Sequence, residues 1–276
     1  MSLMLRLLAT IAIISSLSFA DDSSEKVESF LEDSFMTNPK IKSIDVNVTD
    51  VMDVQGHKDW KAYYVKVDAV LKKDSRKVVQ KMVWFSNGKV IAKDIYDLES
   101  TKEMKELVSL PFKKEYYHKA NLIYGNENAK YKAAIFSDPL CPFCKEFVPQ
   151  ALEYMKKEPN KYAVYYYHFP LQSLHPAAVA LVKAAIALEL KGRKDVILNL
   201  YKIKINPKEK SNEKILAEFN KVMNSDIKMQ ELLSKEVLDH LKNDQEVADM
   251  LMVNSTPTMF FDGKIDKTKN RYKEAK

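Results

Sequence analysis

Apolar residues recur at helical spacing through Val27, Phe30, Leu31 and Phe35, and Asn38-Pro39 closes the run, so the pattern predicts a short amphipathic helix between Asp21 and Met36. The periodicity then switches to alternation, first at Ile44, Val46 and Val48 and again at Tyr63, Val65, Val67 and Ala69. Val78 to Phe85 and Lys89 to Ile95 flank Asn87-Gly88, a dipeptide that favours a tight hairpin. One helix followed by about four antiparallel strands makes a small α+β domain, placed at residues 21–97. Leu98 to Leu110 is polar, helix-prone and stopped by Pro111, which predicts a linker helix over 98–112.

Beyond the linker the order of signals changes. Tyr131 to Phe136 reads as a short apolar strand, Cys144 to Met155 as a helix, and Tyr162 to Phe169 as a fully buried central strand, which together form a βαβ unit. His175-Pro176 opens a further helix with Ala177, Leu181, Ala184 and Leu188 on one stripe and Gly192 past its end. Helical patterning continues through Ile215, Phe219 and Val222, then Leu233, Val237 and Leu241, to about Met252. Pro257 to Phe261 returns to strand, with Asp262-Gly263 as its turn, and a short last helix is expected from Thr268. Residues 113–276 are thus an α/β domain interrupted by a helical insertion at about 173–252.

The start of the chain is set apart. Arg6 is the one charged residue in 1–20, Leu7 to Leu17 is nearly all apolar, and Ser18-Phe19-Ala20 precedes a polar stretch, the layout of a cleaved secretory signal peptide. A membrane span needs about 18 to 20 apolar residues. Leu7 to Ala20 offers fourteen, several of them Ser or Thr. The mature chain is therefore expected outside the cytoplasm, where disulfides can form.

Charge and composition narrow the chemistry. The 44 basic and 38 acidic residues, net +6 in 276 residues, are interspersed along the chain, which argues against nucleic-acid binding. Five glycines argue against a Gly-rich phosphate cradle, and two cysteines exclude a disulfide-stapled scaffold or a multi-zinc ribbon.

Those two cysteines stand three apart, Cys141-Pro142-Phe143-Cys144, where a strand gives way to a helix. Positions i and i+3 are neighbours on a helix, so the sulfurs can close a disulfide. Unpaired amides and the positive dipole end of a first helical turn stabilise a thiolate at Cys141. Cys144, one turn further in, suits a resolving thiol that attacks a mixed disulfide, and Pro142 fits the first turn because its missing N–H is not needed there. Three other readings compete. A structural disulfide over so short a loop restricts the unfolded chain little. A zinc site would need His168 and His175, whose spacing is outside the usual pattern, and haem attachment needs His where Lys145 stands.

Around this pair the residues carry a family resemblance. Tyr124-Gly125-Asn126-Glu127-Asn128-Ala129, Ile135-Phe136-Ser137-Asp138-Pro139-Leu140 and the CPFC run resemble the first strand and active site of the bacterial Dsb proteins, thioredoxin-fold thiol:disulfide oxidoreductases of the cell envelope. His168-Phe169-Pro170-Leu171 with His175-Pro176 is similar to the central strand and helical insertion of DsbA-like members, and Val253 to Gly263 to the loop carrying the family's cis-proline. Glycines frequent in that loop are replaced by Met252 and Ser255. The helix-and-sheet layout of 21–97 resembles the cystatin-like dimerisation domain of DsbC and DsbG, and Pro142-Phe143 lies nearer to the Pro-Tyr of DsbG than to the Pro-His of DsbA.

The resemblance implies a thioredoxin fold behind an α+β dimerisation domain and a linker helix. It implies a periplasmic disulfide isomerase or reductase with Cys141 and Cys144 catalytic, Pro142 and Phe143 as the active-site dipeptide, and a cis Thr256-Pro257 bond beside them that pairs with extended substrate. The expected partners are unfolded or misoxidised exported proteins, a membrane redox partner and a second copy of the chain, with no cofactor, metal or nucleic acid. A DsbA-like oxidase is the alternative, and a chaperone or zinc-binding module the reading from another class. His168 and His175 are expected to tune the thiolate or simply to pack or cap, Asp138 to raise a thiol or shape the turn, and Tyr165, Tyr166 and Tyr167 to be core aromatics.

Overall fold

The computed structural model describes residues 22–276, so the expected signal peptide, 1–20, lies outside the described residues. The chain divides into two compact units between Val108 and Ser109.

In the first unit, helix α1 (Asp22–Met36) precedes strands β1 (Ile41–Val54), β2 (His57–Leu71), β3 (Lys77–Ser86) and β4 (Ile91–Ala92), which follow one another in an antiparallel sheet. The alternation does its work on one face: Val46, Tyr63, Val65 and Val67 pack against Val27 and Leu31 of α1. Two acidic residues of α1 reach the outer strand, where Glu28 accepts from the Val48 amide (2.6 Å) and Glu32 from the Val46 amide (3.1 Å).

Two expectations fail here. The strand expected over Lys89 to Ile95 shrinks to Ile91–Ala92, because Asn87 accepts from the Lys89 and Val90 amides and Ser86 donates to the Val90 carbonyl, which commits those residues to the turn. The linker helix over 98–112 does not form: its sole helical piece is a 3₁₀ turn at Met104–Glu106. Asp97 accepts from the Ser100 amide, Thr101 takes a left-handed φ of 56°, and Tyr96 bridges to Glu103, so local polar bonding replaces the helical ladder.

The second unit holds a five-stranded sheet in the order β5 (Leu122–Tyr124), β7 (Tyr162–His168), β6 (Tyr131–Ser137), β8 (Thr258–Phe261) and β9 (Lys264–Ile265). Only β6 and β7 are parallel, joined through helix α2 (Pro142–Met155) as a βαβ unit. Ile135, Val164, Tyr166 and Met259 on one face meet Cys144, Val148, Leu152 and Met155 of α2. The opposite face stacks Phe136 on Tyr167, with Phe112 against both and against Phe260. Burying each such side chain contributes about 2–3 kcal/mol.

Gly125 ends β5 with φ +78°, and a Cβ there would sit 1.9 Å from the Tyr162 carbonyl oxygen, so only glycine lets the edge strand turn this close to β7. Between β7 and β8 lies the expected helical insertion: α3 (Pro176–Leu190), α4 (Val196–Leu200), α5 (Asn212–Met223) and α6 (Lys235–Met250). Helix α3 is buried nearly all round rather than along one stripe, and is the axis of a second core with Phe219, Val237 and Leu241. The final helix α7 spans Arg271–Glu274, shorter than expected because Asp266 caps the turn at Lys269 and Arg271. No described helix is long and apolar enough to cross a membrane.

Candidate functional site

Strand β6 ends at the sheet centre on Ser137, and the chain must turn there to start α2. Asp138, fully buried, makes that turn: its carboxylate accepts from the Leu140 and Leu171 amides, each at 2.7 Å, and pairs with His175 Nδ1 at 3.0 Å. The turn into α2 is thereby bonded to the segment between β7 and α3. Of the two roles open to Asp138, the structure gives it the turn, and His175 is its partner.

Cys141 is the residue that caps α2, with extended backbone (φ −66°, ψ 125°) and Pro142 in the first turn. Its carbonyl already accepts from the Lys145 amide (3.0 Å), while its side chain leaves the first-turn amides uncapped. The residue is only 5% exposed, and its sulfur donates to the Thr256 carbonyl at 3.6 Å. The Thr256-Pro257 bond is cis, as the resemblance implied.

Cys144 lies one turn on and is fully buried. Both cysteines are free thiols within one cluster. Burial pushes the Cys144 thiol up to about 12, with the neighbouring Ser137 side chain and the Asp138 backbone opposing it. At neutral pH it is therefore held as the thiol. The pair is thus asymmetric in placement: one sulfur at the helix start beside a backbone acceptor, the other sealed behind it.

Phe143, between them, is 71% exposed and lines a groove of about 460 Å³ with Phe147, Gln150, Thr256 and Pro257. Glu146 and Lys269 bring one charge of each sign to the same groove. The groove therefore mixes aromatic with polar and charged side chains, and its Thr256 is also the backbone acceptor of the Cys141 sulfur.

His168 stands apart from the cysteines in its bonding. Its ring Nε2 pairs with Glu189 at 3.0 Å and its amide donates to Asp244 at 2.8 Å. Against the effect of burial, Glu189 holds the His168 ring above its ordinary range. Asp244 also accepts from Asn121 (2.6 Å), and burial pushes its carboxyl up to about 7. Tyr165, Tyr166 and Tyr167 are all core residues.

Residues that the pattern did not single out complete the site. The Ser137 hydroxyl lies 2.6 Å from that of Tyr201, which lies 2.7 Å from that of Tyr166, all three buried. Ser137 lies one residue past the strand expected over Tyr131 to Phe136, and nothing in the periodicity marks Tyr201, which follows the short helix α4.

The thioredoxin family model matches residues 118–276. No curated protein sequence matches the chain. Among solved structures, the chain is similar to the catalytic domain of Proteus mirabilis ScsC, at 22% identity over 58% of this chain and 92% of that one, with a TM-score of 0.45. It is similar also to oxidised BdbD from Bacillus subtilis, at 16% identity over 60% and 92% with a TM-score of 0.47. For Pseudomonas aeruginosa DsbA2 the values are 19% identity, 55% and 90%, and a TM-score of 0.39.

Proposed function

Because this chain belongs to the thioredoxin family, and with it to the thiol–disulfide oxidoreductases, we propose that it is a periplasmic disulfide isomerase or reductase acting on exported proteins. The observation that carries this reading is the unequal seating of its two thiols. Cys141, at the uncapped start of α2, is the nucleophile, and its sulfur attacks a substrate disulfide to form a mixed disulfide while one substrate thiolate leaves. Cys144, buried and protonated, does not compete for substrate and acts only when the mixed disulfide is held against it. It then attacks the Cys141 sulfur, the internal disulfide forms, and the second substrate sulfur leaves reduced. In the isomerase cycle a substrate thiol reverses the first step instead, and the enzyme emerges as dithiol.

The groove beside Phe143 takes the polypeptide, with the Thr256 backbone pairing with it and Pro257 packing against it. Unfolded or misoxidised exported proteins are the substrates, and a membrane redox partner returns the pair to its working state. The first unit serves as a dimerisation domain. An apolar hollow of about 240 Å³ between α1 and the sheet, lined by Phe35, Ile44, Val67, Leu71 and Met82, supports that assignment. Export follows from the signal-peptide layout of residues 1–20.

A dithiol oxidase is the second reading, favoured by the four-helix insertion α3 to α6 between β7 and β8. Equilibration with glutathione, combined with trapping of the resting state in exported material, separates the two. The isomerase reading expects the Cys141–Cys144 pair mostly reduced at rest, together with repair of a scrambled disulfide protein. A mostly oxidised pair with a strongly oxidising potential overturns it in favour of the oxidase.

A further inference from the structure

The groove beside the CPFC turn takes its lining from two places, and each brings a charge of different sign. Helix α2 supplies Phe143, Glu146, Phe147 and Gln150, which stand at i, i+3, i+4 and i+7 and so share one helix face. Phe147 is braced from behind by the buried ring of Tyr272, with centroids 6.4 Å apart. The other part of the lining comes from Thr256, Pro257 and Lys269, beyond the helical insertion in the chain.

Among the described residues, neither the Glu146 carboxylate nor the Lys269 ammonium forms an ion pair or a side-chain hydrogen bond, although both line the same groove. Further along α2 the pattern differs, since Glu153 pairs with Lys156 at 2.6 Å. Lys269 is moreover held in place by its backbone. Its φ of 56° is left-handed, a region that side chains with a Cβ seldom adopt, and the buried carboxylate of Asp266 fixes it there by accepting from the Lys269 and Arg271 amides, each at 2.9 Å, and from the Thr268 hydroxyl at 2.8 Å. Two opposite charges that share a groove without pairing are open to a third body that carries the complementary charges.

Resting on the oxidoreductase reading above, we infer that Glu146 and Lys269 are specificity-determining residues, selecting extended segments with a basic side chain on one side of the reactive cysteine and an acidic one on the other. The Cys141 sulfur donates to the Thr256 carbonyl at 3.6 Å, so the nucleophile adjoins the groove that these charges flank. A segment that pairs with the loop backbone lies in one direction only, and the order of its charges then matters. The matching order meets two attractions, and the reversed order two repulsions. In the step so selected, the Cys141 thiolate sulfur bonds to the substrate sulfur, the disulfide bond of that sulfur to its former partner breaks, and the partner leaves as a thiolate with the electron pair.

Stopped-flow absorbance reads the selection with short peptides whose central cysteine is disulfide-bonded to a coloured aromatic thiol, the flanking residues being Lys then Glu, Glu then Lys, Lys on both sides, or Glu on both sides. With the reduced full-length protein, release of the coloured thiolate is expected to differ about tenfold between the two mixed orders at low ionic strength and less than about twofold in about 0.5 M salt. The like-charged peptides should fall between. Glu146→Gln and Lys269→Gln should each shrink the difference to about threefold, and the double swap of Glu146→Lys with Lys269→Glu, which keeps the net charge, should invert the preferred order. Equal rates for the two mixed peptides at low salt overturn the proposal, as does an unchanged order of preference in the double swap. If the double swap does not fold, an undiminished difference in both Gln variants overturns it instead. Absence of release from every peptide would reject the oxidoreductase reading itself, and the proposal with it.

Discussion

His175 Nδ1 sits 3.0 Å from the carboxylate of Asp138, across 37 residues of sequence, and joins the start of α3 to the turn that launches the CPFC helix. The same carboxylate holds the Leu140 and Leu171 amides. Asp138→Ala strips all three bonds and leaves the buried Leu140 amide and the half-buried Leu171 amide unpaired, so it should destabilise the second unit by about 2–4 kcal/mol. Denaturant unfolding checks this, and a loss below about 0.5 kcal/mol would mean that water replaces the carboxylate. Asp138→Asn keeps one acceptor and should fall between.

Single cysteine variants should differ in kind. Cys141→Ser is expected to abolish reaction with substrate disulfides, whereas Cys144→Ser should accumulate a mixed disulfide on Cys141, visible as added mass under non-reducing conditions. Equal trapping by both variants would show that either sulfur can lead, contrary to their burial.

Asp244 imposes a pH signature on stability. Its carboxyl is pushed up to about 7 by burial, while in the unfolded chain it titrates near 4. The folded form therefore holds a proton that the unfolded form sheds between those values. That contribution is complete below about pH 4 and is lost as pH rises through 7. His240, pushed down to about 4 by burial and then by His168, has the opposite sign, losing stability as pH falls below its usual range. The difference between wild type and Asp244→Asn isolates the carboxyl. It should move against the wild type from about pH 4 to 7 and level off above. A flat difference in urea melts across this window would show that Asp244 is ionised in the folded protein.

Gly125→Ala forces a Cβ to within 1.9 Å of the Tyr162 carbonyl oxygen at a φ that L residues rarely adopt. Peeling of β5 from β7 is the cheapest relief. A destabilisation of about 2–4 kcal/mol is expected, with hydrogen-exchange protection lost first at Leu122 to Tyr124.

The α1 helix, the long strands β1 to β3, the paired cysteines at a helix start and the extent of the insertion were all legible, because each rests on a short-range period or spacing. Periodicity misleads where side chains bond their own backbone. Asp97, Ser100 and Thr101 look tolerable in a helix, yet their local bonds outcompete the weak apolar stripe of 98–110. Helix α2 continues through Pro149, which the periodicity of Val148, Leu152 and Met155 overrides. The buried hydroxyl pair of Ser137 and Tyr201 is not legible, since the two are 64 residues apart and meet only through the packing of the insertion on the sheet.

The carboxylates of Glu28 and Glu32, seated on the Val48 and Val46 amides, act as a built-in stopper. Under the proposed function the protein meets segments ready to zip onto any bare strand margin, where they would be gripped without being repaired. Zipping onto β1 would require both carboxylates to be evicted first. The far margin, β3 before its short pairing with β4, presents Lys77 and Lys81 instead, and charge takes over there as the deterrent to runaway fibre growth.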